Sequence, residues 1–156
     1  MEKKICVLVS ACLYGAPCRY DGRDNASPLA AALEKMGVTP IPVCPEAAGG
    51  LPTPRTPSER KGDSVVSQTG EDMTKAFRKG AETAVKLYRE NACIAALLKE
   101  RSPSCGKGKI YDGTFSRRLK DGNGITAEAL LSIGATVFGE SEADALVDFI
   151  KSKINP

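Results

Sequence analysis

The sequence holds no histidine and no tryptophan in 156 residues. Without an imidazole there is no Ser-His-Asp triad, no Cys-His dyad and no histidine-bearing zinc site. Proton chemistry must come from carboxylates, thiols, lysines, tyrosines or a bound cofactor. Any metal must be held by sulfur or oxygen. Long apolar runs are missing too. All fall far short of the roughly 20 residues that span a bilayer, so no membrane-crossing helix is expected. Charge of one sign is also scarce: 22 Lys plus Arg stand against 19 Asp plus Glu, a net +3. That is too weak to argue a nucleic-acid protein. Basic residues do recur at Arg101, Lys107, Lys109, Arg117, Arg118 and Lys120. They read as a solvated face, or as attraction of an anionic substrate to a nearby site.

The length suits one domain over residues 1–156 with a core large enough to need no disulfide. The start needs a separate check. Met1-Glu2-Lys3-Lys4 precedes the apolar Ile5-Cys6-Val7-Leu8-Val9, and Val9-Ser10-Ala11-Cys12 looks like a lipoprotein cleavage box. Five apolar residues are fewer than the roughly 7–15 of a signal peptide. The segment is therefore read as a strand of a cytoplasmic protein whose thiols stay reduced.

Residues 4–10 read as a buried parallel strand, and a turn-rich loop follows over 11–25. Ser27 and Pro28 suit the N-cap and first position of a helix, with Leu29, Ala32, Leu33 and Met36 at helical spacing and Gly37 beyond its end. Residues 38–44 read as a second strand, placed at an edge by Pro40 and Pro42. A Pro- and Gly-rich stretch over 45–62 is too long for a plain linker. Val65-Val66 reads as a small extra strand. Residues 71–91 form the longest expected helix, with Met73, Phe77, Ala81, Ala84 and Tyr88 as its apolar stripe. A third strand is expected over 92–98, a Gly-rich loop over 100–114, a helix over 126–133, a strand over 135–138 and a helix over 140–153. Strands alternating with helices predict an α/β fold: a single domain with a mostly parallel, Rossmann-like sheet and helices on both faces. Neither G-x-G-x-x-G nor G-x-x-x-x-G-K-[ST] is present, so both common nucleotide fingerprints are missing.

The six cysteines divide into two groups. Cys6 and Cys93 fall inside predicted strands and read as small core hydrophobes. Cys12, Cys18, Cys44 and Cys105 fall just past strand ends, where the loops of an open parallel sheet converge on ligands. No paired C-x₂₋₄-C spacing supports zinc, and no C-x-x-C supports thiol redox chemistry. An iron–sulfur cluster accepts dispersed thiolates, and scattered structural cysteines are the other reading.

The residues around the cysteines carry a resemblance. Ser10-Ala11-Cys12-Leu13-Tyr14-Gly15 followed by Cys18-Arg19-Tyr20-Asp21-Gly22 is one segment. Cys44-Pro45-Glu46 with Gly49-Gly50-Leu51-Pro52-Thr53-Pro54-Arg55 is the second. Lys99 and Ser102-Pro103-Ser104-Cys105-Gly106 form the third. Together they resemble the thiouracil desulfidase family, over nearly the whole chain. The resemblance implies a 4Fe–4S cluster held by Cys12, Cys44 and Cys105 only. Relatives can carry an apolar residue where this chain has Cys18. Cys18 therefore reads as a packing residue beside the cluster, or as a fourth ligand that would close it.

An iron lacking a protein thiolate is a Lewis acid, and a thiocarbonyl sulfur is a soft donor suited to it. Such binding makes the carbon electrophilic toward water, and sulfur departs as hydrosulfide without net electron transfer. By resemblance Glu46 is the expected base and Ser102 the group that positions water or the developing oxyanion. From the residues alone, Glu46 reads equally as a loop-bracing carboxylate and Ser102 as a turn cap before Pro103. Arg19 and Asp21 read as a bracing pair. Arg55 reads as an anion contact or a cap. Ser104 and Gly106 could face cluster sulfides, and Tyr14 or Tyr20 could stack on a pyrimidine or pack. Tyr111 and its basic neighbours could meet a thiolated RNA. The expected activity is hydrolytic removal of sulfur from 2- or 4-thiouracil. The rival readings are a metal- or cluster-binding sensor without catalysis, and a thiol oxidoreductase using Cys12 and Cys18.

Overall fold

The computed structural model describes residues 4–24 and 26–154. Residues 1–3, at the start of the rejected leader pattern, and Asn25, the expected end of the first loop, lie outside the described residues. The chain runs through β1 (Ile5–Ser10), a 3₁₀ turn (Ala11–Tyr14), α1 (Pro28–Lys35), β2 (Val38–Val43) and α2 (Pro45–Ala48). A hairpin of β3 (Ser58–Lys61) and β4 (Ser64–Ser67) precedes α3 (Thr74–Glu90) and β5 (Ala95–Leu98). A second hairpin, β6 (Lys109–Tyr111) and β7 (Leu119–Asp121), precedes α4 (Ile125–Ser132), β8 (Val137–Gly139), a 3₁₀ turn (Glu140–Glu142) and α5 (Ala143–Ile154).

The central sheet has the order β2-β1-β5-β8, and all its neighbours are parallel. Its alternation builds a core on each face. Cys6 and Leu8 of β1 join Ala96 and Leu98 of β5 against Ala84 of α3 and Ala127 and Leu130 of α4. Val7, Val9, Ala95 and Leu97 pack on the other face against Leu33 of α1 and Leu146 and Ile150 of α5. Strands buried on both faces lose the polar alternation of a half-exposed strand, which is why β1 and β5 read as near-continuous apolar runs. Helices α1 and α5 thus cover one face, and α3 and α4 the other. The chain leaves β1 for β2 on one side and returns to β5 on the other. The strand order therefore reverses at β1 and β5, where a crevice opens at their carboxyl ends.

Local chemistry explains the elements. Ser27 Oγ accepts a hydrogen bond from the Leu29 amide at 3.2 Å, and Gly37 takes a φ of +82° just past α1. β2 is an edge strand, as its prolines require. Pro40 and Pro42 share one parity, so both missing donors can face the open side. The expected stripe of α3 is buried at Phe77, Ala81 and Ala84, joined by Gly80.

Several boundaries differ from expectation. The third strand starts at Ala95 rather than 92, so Cys93 precedes it; Cys93 is buried nonetheless. The Pro-rich stretch holds α2, and the extra strand at Val65-Val66 is half of the β3–β4 hairpin. The Gly-rich loop after β5 contains β6. These pieces are too short and too polar to show a period.

Candidate active site

The carboxyl ends of β1, β2 and β5 open into a cavity of about 600 Å³. Cys12, Cys18, Cys44 and Cys105 all line it, with Glu46 and Ser102. Cys12 lies in the 3₁₀ turn after β1, Cys44 between β2 and α2, and Cys105 in the turn after β5. The topology thus gathers thiols that are far apart in sequence. Cys6 and Cys93 stay in the core, as expected. None of the six cysteines is in a disulfide.

Cys18 comes to this group as well. The Cys44 thiol points its proton at the Cys18 carbonyl at 3.8 Å. Burial, with Cys44 and Cys12 close by, pushes the Cys18 thiol up to about 12. Cys105 is only 4% exposed. Burial pushes its thiol up to about 12 as well, against hydrogen bonds from Ser10 and Ser104. Among the described residues, no three Cys, Asp or Glu side chains come close enough to hold a single metal ion. The thiols border a roomy cavity instead. That arrangement suits a multi-iron cluster, whose thiolate ligands attach to separate irons.

Glu46 stands in the single turn of α2, two residues beyond Cys44. This turn is pressed against α3 at two glycines. A Cβ on Gly80 would lie 1.8 Å from the Pro45 carbonyl oxygen, and one on Gly49 would lie 2.0 Å from that of Ala76. The Glu46 side chain is 17% exposed. Burial pushes its carboxyl above the usual range, and Arg55 and Ser104 oppose the shift. Arg55 Nε donates to Glu46 Oε1 at 3.4 Å, and Ser104 Oγ donates to Glu46 Oε2 at 3.4 Å. Both contacts are long for a carboxylate, so both can tighten when the site fills.

Ser102 sits one step further back. Its Oγ accepts from the amides of Ser104 at 3.1 Å and Cys105 at 3.0 Å. That is the turn-cap geometry expected before Pro103. With both lone pairs engaged, its one proton is free for Ser104 Oγ, 3.0 Å away, or for a water in the cavity. Ser104 is the hydroxyl that touches Glu46, and it also reaches Cys105 Sγ at 3.7 Å. Sequence alone singled out Ser104 and Arg55 but gave them no definite place. The signal was their position inside the second and third motif segments.

The remaining candidates sort cleanly. Arg19 and Asp21 pair at 3.1 Å, the expected brace. Tyr20 and Tyr111 line the cavity, whereas Tyr14 is absent from its wall. Of the basic residues, Lys107 pairs with Glu142 at 3.2 Å and Lys109 pairs with Asp121. Arg101 and Arg117 line the cavity, with left-handed φ of +67° and +63°. The stretch from Gly113 to Phe115 was missed from sequence. Glu59 Oε1 accepts the amides of Gly113 and Phe115, at 2.9 and 3.1 Å, and so holds Phe115 on the cavity wall.

No helix among the described residues is long and apolar enough to cross a membrane. The chain is 44% identical to a solved structure described as the [4Fe-4S]-dependent thiouracil desulfidase TudS. The match has a TM-score of 0.89 and covers 95% of this chain and 99% of that one. It is 39% identical over 153 residues to the uncharacterized protein YbbK of Bacillus subtilis (strain 168), covering 90% of this chain and 99% of that relative. The profile of the 2-thiouracil desulfurase family matches residues 7–142. With a match of that extent and thiols gathered where three parallel strands end, the chain belongs to the 2-thiouracil desulfurase family.

Proposed function

We propose that this protein hydrolyses the carbon–sulfur bond of a thiolated pyrimidine such as 2- or 4-thiouracil, giving uracil and hydrosulfide. The observation that carries the proposal is the convergence of Cys12, Cys44 and Cys105 with Glu46 on one cavity. The three thiolates would hold a 4Fe–4S cluster, as the cluster dependence of the TudS relative implies. When bound, such a cluster supplies a soft Lewis acid for the thiocarbonyl sulfur and its leaving group.

The chain's own residues supply the rest. Glu46 takes the proton of the attacking water, the role a histidine has elsewhere. Its burial keeps competing solvent away from the carboxylate. Ser102 fixes the turn that presents Cys105, and its hydroxyl donates a hydrogen bond either to Ser104, which in turn meets Glu46, or to the developing oxyanion. The cavity wall offers Tyr20, Tyr111 and Phe115 to a planar ring. Cys18 sits on the first loop, its carbonyl facing the Cys44 thiol, and is not required as a ligand.

The test is anaerobic. Purified protein should carry iron and sulfide and should convert 4-thiouracil to uracil with release of sulfide and no added electron donor. Serine at Cys12, Cys44 or Cys105 should abolish both iron and turnover. Glu46→Ala should keep the iron and lose turnover. Iron-free wild-type protein, or a serine variant at full activity, overturns the reading. A strict need for an electron donor points to the oxidoreductase instead.

A further inference from the structure

The Arg55 guanidinium is more engaged than its surroundings require for simple bracing. Its side chain is only 6% exposed. Nε donates to Glu46 Oε1 at 3.4 Å, and Nη2 donates to the Cys18 carbonyl at 2.8 Å. Nη1 donates to the Pro52 carbonyl at 3.2 Å and to Thr53 Oγ1 at 2.9 Å. The Arg55 amide adds a bond to the Tyr20 carbonyl at 2.6 Å. One residue thus joins three segments: the loop after β1 that carries Cys18, the turn of α2 that carries Glu46, and its own loop before β3.

We propose that Arg55 is the positioning residue of the reaction, fixing the Glu46 carboxylate against the cysteine-bearing first loop. The inference rests on Glu46 being the base. The two anchor points make the geometry specific. Pro52 and Thr53 hold the Nη1 side of the fork in its own loop, and the Cys18 carbonyl holds Nη2. With the plane fixed on those sides, Nε has one direction left, and it faces Glu46. Ser104 meets the other carboxylate oxygen. The carboxylate is thereby held from opposite sides, by a cation tied to the first loop and a hydroxyl beside Cys105. A lysine cannot reproduce this. Its single ammonium lacks the planar fork that bonds four acceptors in fixed directions.

The test compares Arg55→Lys with wild-type protein, both loaded with iron. A carboxylate misplaced by about 1 Å costs on the order of 100-fold in rate. Arg55→Lys should therefore lower kcat by roughly 10- to 100-fold, with KM within about twofold and iron per chain unchanged. In a Glu46→Gln background the same substitution should cost nothing further, because Arg55 acts through Glu46. Four results overturn the proposal: wild-type kcat, iron lost in step with turnover, a raised KM at unchanged kcat, or an additive loss on Glu46→Gln. A crystal structure of loaded Arg55→Lys decides the matter independently of turnover. A Glu46 carboxylate turned from its wild-type position supports the proposal, and an unmoved one overturns it. Wild-type protein inactive on thiouracil would sink the proposed function, and the crystal comparison would still judge Arg55.

Discussion

Burial alone does not separate a core cysteine from a ligand candidate. Cys6 is 3% exposed and Cys105 is 4% exposed, yet only Cys105 opens on the cavity. Position at a strand end made that distinction in the sequence, and the structure places Cys105, not Cys6, on the cavity wall. The serines were less legible. Both lie in Ser102-Pro103-Ser104-Cys105, and only the fold of the turn decides which hydroxyl meets Glu46. Another hydroxyl tells a different story. Thr126 Oγ1 is buried with no hydrogen-bond partner among the described residues. An unmet buried hydroxyl costs about 1–3 kcal/mol, whereas an apolar group of the same shape does not. Thr126→Val should therefore raise stability by about 1 kcal/mol, read as a rise in Tm of about 2–4 °C by thermal melting. A lower Tm would show that the hydroxyl has a partner in solution.

The packing of α2 on α3 is what places Glu46. A glycine-to-alanine change inside a helix normally stabilises by about 0.5–1 kcal/mol. At Gly80 the sign should reverse, because the added Cβ lands 1.8 Å from the Pro45 oxygen. Backbone, not a flexible side-chain tip, would have to move. Gly80→Ala should cost about 1–3 kcal/mol in a denaturant melt and lower turnover, since α2 shifts with Glu46 on it. An unchanged rate would mean that the reaction tolerates a shift of Glu46.

The turn into α5 offers a pH test. The Gly139 amide donates to Glu142 Oε1 at 2.9 Å, and Lys107 adds 3.2 and 3.3 Å contacts. These hold the Glu142 carboxyl below its ordinary value, the backbone bond first. A lowered folded value gives stability that is present above the unfolded value of about 4.3 and is lost as pH falls through the folded one. The Tm gap between wild type and Glu142→Gln should be full at pH 6 and shrink below about pH 4. Among the elements, the long helix was legible by its period of about 3.6 residues and the buried strands as near-continuous apolar runs. The β3–β4 and β6–β7 hairpins were not. Only Val65-Val66 of β4 was read as a strand; β3, β6 and β7 are short and charged, and long-range ties such as Glu59 to Gly113 and Phe115 hold them in place.

At the scale of the molecule, binding to the folded state alone adds stability through mass action. A cluster held from the ends of β1, β2 and β5 would tie three segments that otherwise separate on unfolding. Anaerobic iron removal by a chelator should lower the Tm of wild-type protein, and reloading should restore it. Cys12→Ser should show neither change. A Tm indifferent to iron would mean that the thiols hold nothing in the folded protein.

The available chemistry is legible in composition and local pattern. The sequence supplied thiols without histidine, left proton chemistry to carboxylates, thiols, lysines and tyrosines, and showed an alternation of strands and helices that predicts a parallel sheet. It also sorted Cys6, inside β1, from the four cysteines past strand ends; Cys93 is buried as expected although it precedes β5. The tertiary structure alone decided the meeting of Cys12, Cys18, Cys44 and Cys105, the role of Ser104 beside Glu46, and the reach of Arg55 to Cys18. The reason is geometric. The order β2-β1-β5 sets which loops share a crevice, and strand order is fixed by crossovers and packing between distant segments, which spacing along the chain does not encode.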